Sequence, residues 1–359
     1  MRMRRKPYNT SMSSSGGGQM RIRVKTPARL HLGLLDINGD LGRLYGSIGV
    51  AIERPNVVLE AEYLEGMSGP DAPPNRAEAR YRVQVEGPEA ERVATFAWRF
   101  LERYPLPYRV RLRLLAGIPA HVGLGSGTQL ALAVGTALAR LGGLRLSVPE
   151  VAVAVGRGVH SGIGSAAFQR GGFILDGGHR VTPGDQAGER KLPPILVQHP
   201  FPEQWYFVVV VPQISPGFSG ERERSAFETL PQAPAALVEK ISRLLLMKML
   251  PALMERDILA FGQALTAIQQ LVGDCFAAVQ GGRYAHSLSE ELIGFMLEQG
   301  AAGAGQSSWG PTVYGLVEGE AAARHLAGAT QAFLAGRGEG QTFTVRADNR
   351  GAQVRVYRR

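Results

Sequence analysis

Polar and hydrophobic residues alternate in several short stretches of the first half of the chain. Alternation around Ile22 and Val24 and at 57–63, 81–85 and 109–114 predicts strands, because successive side chains of a strand point to opposite faces. Continuous apolar runs at 171–175 and 205–211 predict buried strands. Helical spacing predicts helices at 92–103 and 128–141 and after Pro149, and the helix at 128–141 is apolar on nearly every side, which indicates burial.

The second half of the chain is richer in helical patterns. Apolar spacing predicts helices at 221–230, 235–255, 258–272, 288–299 and 320–334, with strands at 312–317 and in the region 342–356. The change from a strand-rich to a helix-rich half predicts an α+β fold of two domains, at residues 20–205 and 206–359. Residues 66–80 read as a surface loop, 177–194 as a hairpin with a long connection, and the basic, Ser/Gly-rich residues 1–19 as a disordered tail.

Composition narrows the range of partners. The 359 residues carry a formal net charge of +9, of which four charges lie in the predicted tail. Arginine supplies 35 of the 40 basic residues and is dispersed outside the tail, which favours small anions or plain solubility over nucleic acid. The base composition of the genome would produce the same surplus. No run approaches about 18 apolar residues, so no membrane span is expected.

Cysteine usage also limits the chemistry. Cys275 is the single cysteine of the chain, so neither an internal disulfide nor a cysteine-based metal cluster can form. We therefore expect a reducing, cytoplasmic setting.

The stretch HVGLGSGTQ precedes the apolar helix and suggests an anion-binding loop. Glycines at 123, 125 and 127 let backbone N–H groups converge on an anion, and the helix start adds unpaired N–H groups. Ser126 and Thr128 add hydroxyls, although either could instead cap the helix. The stretch holds no lysine, which excludes the nucleotide-binding loop G-x-x-x-x-G-K-[ST]. We call residues 121–129 the glycine loop.

Three segments resemble the GHMP kinase superfamily. P-x-x-x-G-L-G-S-G-T at 119–128 is similar to its second motif, where loop and helix hold the phosphates of ATP; residues 26–52 and 301–315 lie where its first and third motifs are found. The resemblance implies an N-terminal ribosomal-protein-S5-domain-2-like domain and a C-terminal ferredoxin-like domain. The segment HSGIG, however, has Gly164 where kinases of the P-S-G-x-D pattern carry the aspartate assigned as base.

With the segment from 158 to 178 included, the chain resembles one branch of the superfamily, the β-ribofuranosylaminobenzene 5′-phosphate synthases. This resemblance implies condensation of phosphoribosyl diphosphate with 4-aminobenzoate or 4-hydroxybenzoate, with loss of CO₂ and diphosphate, in tetrahydromethanopterin biosynthesis. It also implies Mg²⁺, no organic cofactor and a homodimer. A GHMP-family kinase that uses ATP and a non-catalytic regulator are the alternatives.

Candidate site residues follow from that resemblance. The glycine loop is expected to hold the diphosphate or the 5′-phosphate of the donor. Arg29 is the candidate for the carboxylate of the aromatic acid, and Arg43 for the same group or a phosphate; both could instead be surface charges. His31 and His160 are candidates for polarising the para substituent or accepting its proton, since histidine titrates near neutrality, although a lone histidine is more often structural.

The remaining candidates come from the other motifs. Ser161, Ser307 and Ser308 are expected to contact substrate, and Trp309 either stacks on the benzoate ring or plugs a core. Asp36 is the candidate metal ligand, with a turn residue of DINGD as its alternative.

Overall fold

The computed structural model describes residues 20–64, 83–106, 108–157, 161–181, 192–215 and 221–358. The predicted tail, the predicted loop at 66–80 and His160 lie outside these ranges. The strands are β1 (Met20–Asp36), β2 (Arg43–Tyr63), β3 (Val83–Glu86), β4 (Val110–Ala116), β5 (Phe173–Asp176), β6 (His179–Arg180), β7 (Ile195–His199), β8 (Trp205–Pro212), β9 (Gly303–Gln306), β10 (Val313–Glu318), β11 (Gly340–Arg346) and β12 (Gln353–Arg358).

Most of the helical residues lie in the second half of the chain, as the sequence predicts. They are α1 (Ala90–Arg103), α2 (Ser126–Leu141), α3 (Val148–Ala154), α4 (Ile163–Arg170), α5 (Glu221–Thr229), α6 (Ala235–Leu244), α7 (Leu250–Glu255), α8 (Ile258–Gln280), α9 (Ser287–Glu298) and α10 (Glu320–Ala335). A π-helical turn, Leu245–Met249, joins α6 to α7, so the predicted single helix at 235–255 is interrupted ahead of Pro251. No helix in the described ranges is both long and apolar enough to cross a membrane.

The first sheet is built on the long antiparallel pair β1 and β2. Its strands run in the order β12-β1-β2-β4-β3, and β2 also pairs with β5 and β6. Helix α2 packs against β1 and β2 and is buried on nearly every side, which confirms the burial expected of an all-apolar helix.

The outer face of this sheet accounts for part of the arginine surplus. Arg21 and Arg23 of β1 lie beside Glu60 of β2, and Arg111 and Arg113 of β4 lie beside Glu62. Cross-strand pairs of opposite charge stabilise neighbouring strands. These arginines are therefore explained by the sheet and need no anionic partner.

The second sheet has the order β11-β8-β10-β9, with antiparallel neighbours throughout. Numbered by sequence within this domain, that order is 4-1-3-2, the arrangement of a ferredoxin-like β-α-β-β-α-β unit. The predicted boundary between 205 and 206 lies after the first residue of β8 and stays a prediction. The last strand, β12, belongs to the first sheet, because it pairs with β1 from Met20↔Arg358 to Lys25↔Gln353.

Candidate functional site

The glycine loop connects β4 to α2 and contains three residues with positive φ, His121, Gly123 and Gly125. Gly123 has φ +88° and Gly125, the N-cap of α2, has φ +80°. A Cβ on Gly123 would lie 2.2 Å from the carbonyl oxygen of Ser307, so no larger residue fits there. Gly125 supplies no capping oxygen, and no side chain caps the helix from that position. The first N–H groups of α2 are thereby left available to an anion.

The β9–β10 loop (residues 307–312) fastens this entrance to β1. The Ser307 hydroxyl donates to the carbonyl of Gly123 (2.8 Å) and accepts from the backbone N–H of His31 (2.9 Å). The N–H of Ser308 donates to the carbonyl of His31 (3.3 Å). Ser307 is fully buried, so the structure shows this predicted substrate contact as a link between three segments.

Arg29 lies beneath the glycine loop. Its Nη1 donates to the carbonyl of Gly123, and a Cβ on Gly125 would lie 3.0 Å from its Cγ. Burial lowers the pKa of Arg29 to about 10, and the nearby carboxylate of Glu223 opposes that shift. The guanidinium is charged at neutral pH and lies beside the helix entrance, which is the expected anion site.

His31 follows two residues later on β1 and is 9% exposed. Burial, together with the charge of Arg29, lowers its pKa to about 3. The expectation that His31 titrates near neutrality is therefore wrong in this structure. A neutral imidazole can still donate or accept a hydrogen bond to a substrate group.

Two residues that sequence reasoning did not select complete the charged environment. Arg157, after α3, lies close to Gly127, since a Cβ there would be 3.1 Å from its Nη2. Glu223, in the first turn of α5, interacts with both Arg29 and Arg157. Its pKa is raised by burial, and the two arginines and the Trp309 hydrogen bond oppose that shift. Among the described residues, two guanidiniums and one carboxylate thus lie beside the entrance of α2.

Trp309 is covered by protein. Its ring makes edge contacts with Phe227 (5.5 Å between centroids) and Phe276 (4.8 Å), and 6% of the residue is exposed. Its Nε1 donates to Glu223 Oε1 at 3.1 Å. This packing corresponds to the alternative role of Trp309, in which its ring covers a hydrophobic core. Its hydrogen bond also positions Glu223.

The segment that replaces the kinase aspartate lies against the first turn of α2. A Cβ on Gly164 would lie 2.8 Å from Thr128 Cγ2, and the Gly164 carbonyl accepts from Gln129 Nε2 (2.8 Å). Thr128 therefore fills the space that a side chain at position 164 would need. An acidic base at that position would require Thr128 to move.

Asp176 holds this segment in place from β5. Its Oδ2 accepts from the N–H of Gly162 (2.8 Å) and the hydroxyl of Ser161 (3.3 Å), and its Oδ1 accepts from the N–H of Gly178 (3.0 Å). Ser161 is thus joined to a buried carboxylate at the start of α4, and its role toward substrate stays a prediction.

Two other predicted residues have structural partners away from the glycine loop. Arg43 donates to the carbonyls of Gly177 and Gly178, each at 2.7 Å, and so braces the turn after β5. Asp36 Oδ1 accepts from the N–H groups of Asn38 (2.8 Å) and Gly39 (2.9 Å), which is the turn role named as its alternative. Among the described residues, no group of three or more His, Cys, Asp or Glu side chains is arranged to hold a metal ion.

Comparisons with known proteins agree on the family. The family models described as GHMP kinases N terminal domain and GHMP kinases C terminal match residues 91–172 and 249–337. A β-ribofuranosylphenol 5′-phosphate synthase of Methanothermobacter thermautotrophicus is 35% identical over 92% of this chain and 97% of its own length. One of Archaeoglobus fulgidus is 35% identical over 93% of this chain and 100% of its own length.

Solved structures show the same fold at low sequence identity. Mevalonate kinase of L. major, in complex with R-mevalonate, has a TM-score of 0.61 at 16% identity, covering 93% of this chain and 97% of that chain. Homoserine kinase of Cytophaga hutchinsonii has a TM-score of 0.59 at 16% identity, covering 97% of this chain and 100% of that chain. The predicted α+β, GHMP-kinase-like fold is confirmed.

Proposed function

The chain belongs to the family of the archaeal β-ribofuranosylphenol 5′-phosphate synthases, and we propose that it joins a phenol ring by carbon to C1 of a ribose 5′-phosphate. The proposed donor is phosphoribosyl diphosphate. The proposed acceptor is 4-hydroxybenzoate, because the relatives are named for a phenol, and 4-aminobenzoate is the second acceptor to be tried. Identity of 35% along nearly the whole relative carries this proposal.

The entrance of α2 is the proposed place of the donor's anionic end. As the bond between C1 and the diphosphate oxygen breaks, the electron pair leaves with the diphosphate, which gains negative charge. Backbone N–H groups of α2 and the guanidinium of Arg29 are suited to stabilise that charge, because they are fixed before the reaction. The glycines bring this backbone close to the phosphate oxygens.

The acceptor ring attacks C1 through the carbon that bears its carboxylate. The para hydroxyl supplies electrons to that carbon and releases its proton. Loss of CO₂ then returns the electron pair of the C–CO₂ bond to the ring, which becomes an aromatic phenolate, and the para oxygen takes a proton back. The protein has to place the ring against C1 without fixing the carboxylate too firmly. Arg29 donates one of its five N–H groups to the carbonyl of Gly123, and its other N–H groups can bind this carboxylate. Neutral His31 is the proposed hydrogen-bond partner of the para group.

Magnesium is proposed as a companion of the donor and not as a resident ion. The described carboxylates do not form a protein-built metal site, and Asp36 already serves a turn. Mg²⁺ commonly binds through substrate phosphates with few protein ligands, so it can arrive on the diphosphate. The homodimer and the cytoplasmic location stay predictions.

The test is product formation with labelled acid. Purified protein is incubated with phosphoribosyl diphosphate, Mg²⁺ and carboxyl-labelled 4-hydroxybenzoate or 4-aminobenzoate, and released CO₂ and the phosphorylated C-riboside are measured. We expect release that requires the donor and stops with EDTA. Parallel incubation with ATP tests the kinase alternative: saturable ATP binding and no CO₂ release would refute the proposal. Absence of turnover with either donor would favour a non-catalytic regulator.

A further inference from the structure

A second guanidinium contacts the glycine loop beside the one supplied by Arg29. A Cβ on Gly127 would lie 3.1 Å from Nη2 and 3.5 Å from Nη1 of Arg157. A Cβ on Gly125 would lie 3.3 Å from Nε of Arg29. The absence of side chains at these two positions therefore lets two cations approach the first turn of α2.

Arg157 is held in place by packing while part of its hydrogen-bonding capacity is unused. Its guanidinium carbon lies 4.9 Å from the ring centroid of Phe96. Its Nε is buried and has no hydrogen-bond partner among the described residues. A buried donor without a partner is costly. The two Nη atoms are the part of Arg157 that approaches Gly127, so they are the donors placed to reach an anion at the helix entrance.

The surrounding charges favour the same conclusion. Burial, together with the charges of the neighbouring Arg99 and Arg92, lowers the pKa of Arg157 to about 10, and Glu223 opposes that shift. Arg92 is also paired with Glu89 on its own helix. The positive charge around Arg157 is thus incompletely balanced by the protein, and a bound anion would relieve the repulsion.

We propose that Arg157 is a substrate-binding residue, whose guanidinium binds a phosphoryl oxygen of the anion held at the entrance of α2. The fork of an arginine matches the oxygens of a phosphate group, and a diphosphate offers more oxygens than Arg29 and one helix end can satisfy. The identity of this anion as the diphosphate of a sugar donor rests on the proposed function; the role of Arg157 in binding a polyphosphate does not.

Titration calorimetry with inorganic diphosphate tests the assignment on the full-length protein. Arg157→Ala should raise the dissociation constant by about 10- to 100-fold, the loss expected for one or two charge-assisted hydrogen bonds, and Arg157→Lys should recover part of it. Arg99→Ala is the matched control. It removes one charge from the same cluster, but Arg99 is exposed and approaches Gly156 instead of the loop, so its effect should stay within about 3-fold.

The outcomes separate this inference from the proposed function. An unchanged dissociation constant in Arg157→Ala, or an equal loss in Arg99→Ala, would overturn the role of Arg157 while leaving any turnover of the wild type untouched. Conversely, weakened diphosphate binding in a protein that makes no C-riboside would support the role and refute the function. If Arg157→Ala lowers the melting temperature, Arg157→Gln, which keeps the methylene stem and removes the charge, gives the same comparison.

Discussion

Replacing Glu223 with glutamine separates the charge of this side chain from its hydrogen bond. In the wild type, Glu223 Oε1 accepts from Trp309 Nε1 at 3.1 Å, and an amide oxygen can accept the same bond. The substitution therefore keeps the packing of the α5 start against Trp309 and removes one negative charge. That charge stabilises the guanidiniums of Arg29 and Arg157, and so it competes with any anion they bind.

The size of the effect follows from Coulomb's law. Two unit charges roughly 8 Å apart at an effective dielectric constant of about 20 interact by about 2 kcal/mol. Solvent around the bound anion reduces this value, so we expect a gain of about 1–2 kcal/mol for an anion in Glu223→Gln. This gain corresponds to a dissociation constant for diphosphate about 5- to 30-fold lower than in the wild type.

Proton uptake gives the second readout. Burial raises the pKa of Glu223, while Arg29 and Arg157 oppose the shift. A bound diphosphate neutralises both guanidiniums and repels the carboxylate, so the pKa of Glu223 should be higher in the complex than in the free protein. The complex then binds more protons, and wild-type affinity should fall as pH rises through the interval between these two pKa values.

Calorimetry in buffers of different ionisation enthalpy measures both quantities. We expect proton uptake on diphosphate binding by the wild type and its loss in Glu223→Gln. Weaker binding by Glu223→Gln would mean that the carboxylate organises the arginines and does not compete with the ligand. Equal proton uptake in the two proteins would assign the titration to another group. Either result would refute the reasoning.

Three further predictions test the packing and charge of the site. Gly164→Ala places a methyl group 2.8 Å from Thr128 Cγ2 and should lower the free energy of unfolding, measured by urea denaturation, by about 1–3 kcal/mol. Adding Thr128→Ser, which removes Cγ2, should restore part of this loss. Simple additivity of the two changes would contradict the contact. The pKa of His31 is about 3 in the folded protein and about 6.5 in the unfolded chain, so the neutral imidazole favours the folded state above pH 6.5 and this contribution is lost as pH falls. Between pH 7 and pH 5 the free energy of unfolding should therefore fall by about 2 kcal/mol more in the wild type than in His31→Gln. Parallel pH profiles of the two proteins would argue against a buried neutral imidazole. Gly123→Ala meets a carbonyl at 2.2 Å and should cost at least about 2 kcal/mol more than Gly143→Ala, a control with similar φ and nothing within 4 Å, as measured by thermal melting.

Sequence patterns predicted the elements well where the deciding interactions are local. The apolar helix after the glycine loop begins at Ser126, and the alternation at 109–114 corresponds to β4. Turn chemistry around Asp36 was likewise recognisable, because an Asx turn forms within four residues. These signals depend on neighbours in the chain and need no knowledge of the tertiary structure.

The contacts that define the site are not local, and no equivalent sequence pattern indicates them. Arg157 and Glu223 are far apart in the chain, and their common relation to Arg29 arises only in the folded protein, where α5 contacts Trp309 and Phe276. The burial of Trp309 depends on Phe227 and Phe276 from two separate helices. An arginine in the sequence RGVHSG, directly ahead of the altered kinase motif, was the available hint for Arg157.

The replacement of an acidic base by glycine is consistent with a reaction whose charge develops on the donor. A kinase of this fold aligns a hydroxyl for attack on a phosphoryl group, and an aspartate can assist by accepting the hydroxyl proton. In the proposed reaction the attacking atom is a ring carbon that receives electrons from the para substituent, so the protein does not need a base that deprotonates the attacking atom. What must be stabilised is the departing diphosphate, and the loop retains cations for it in Arg29 and Arg157. Thr128 then occupies the space beside Gly164, so the packing of the first turn of α2 itself opposes the return of an aspartate.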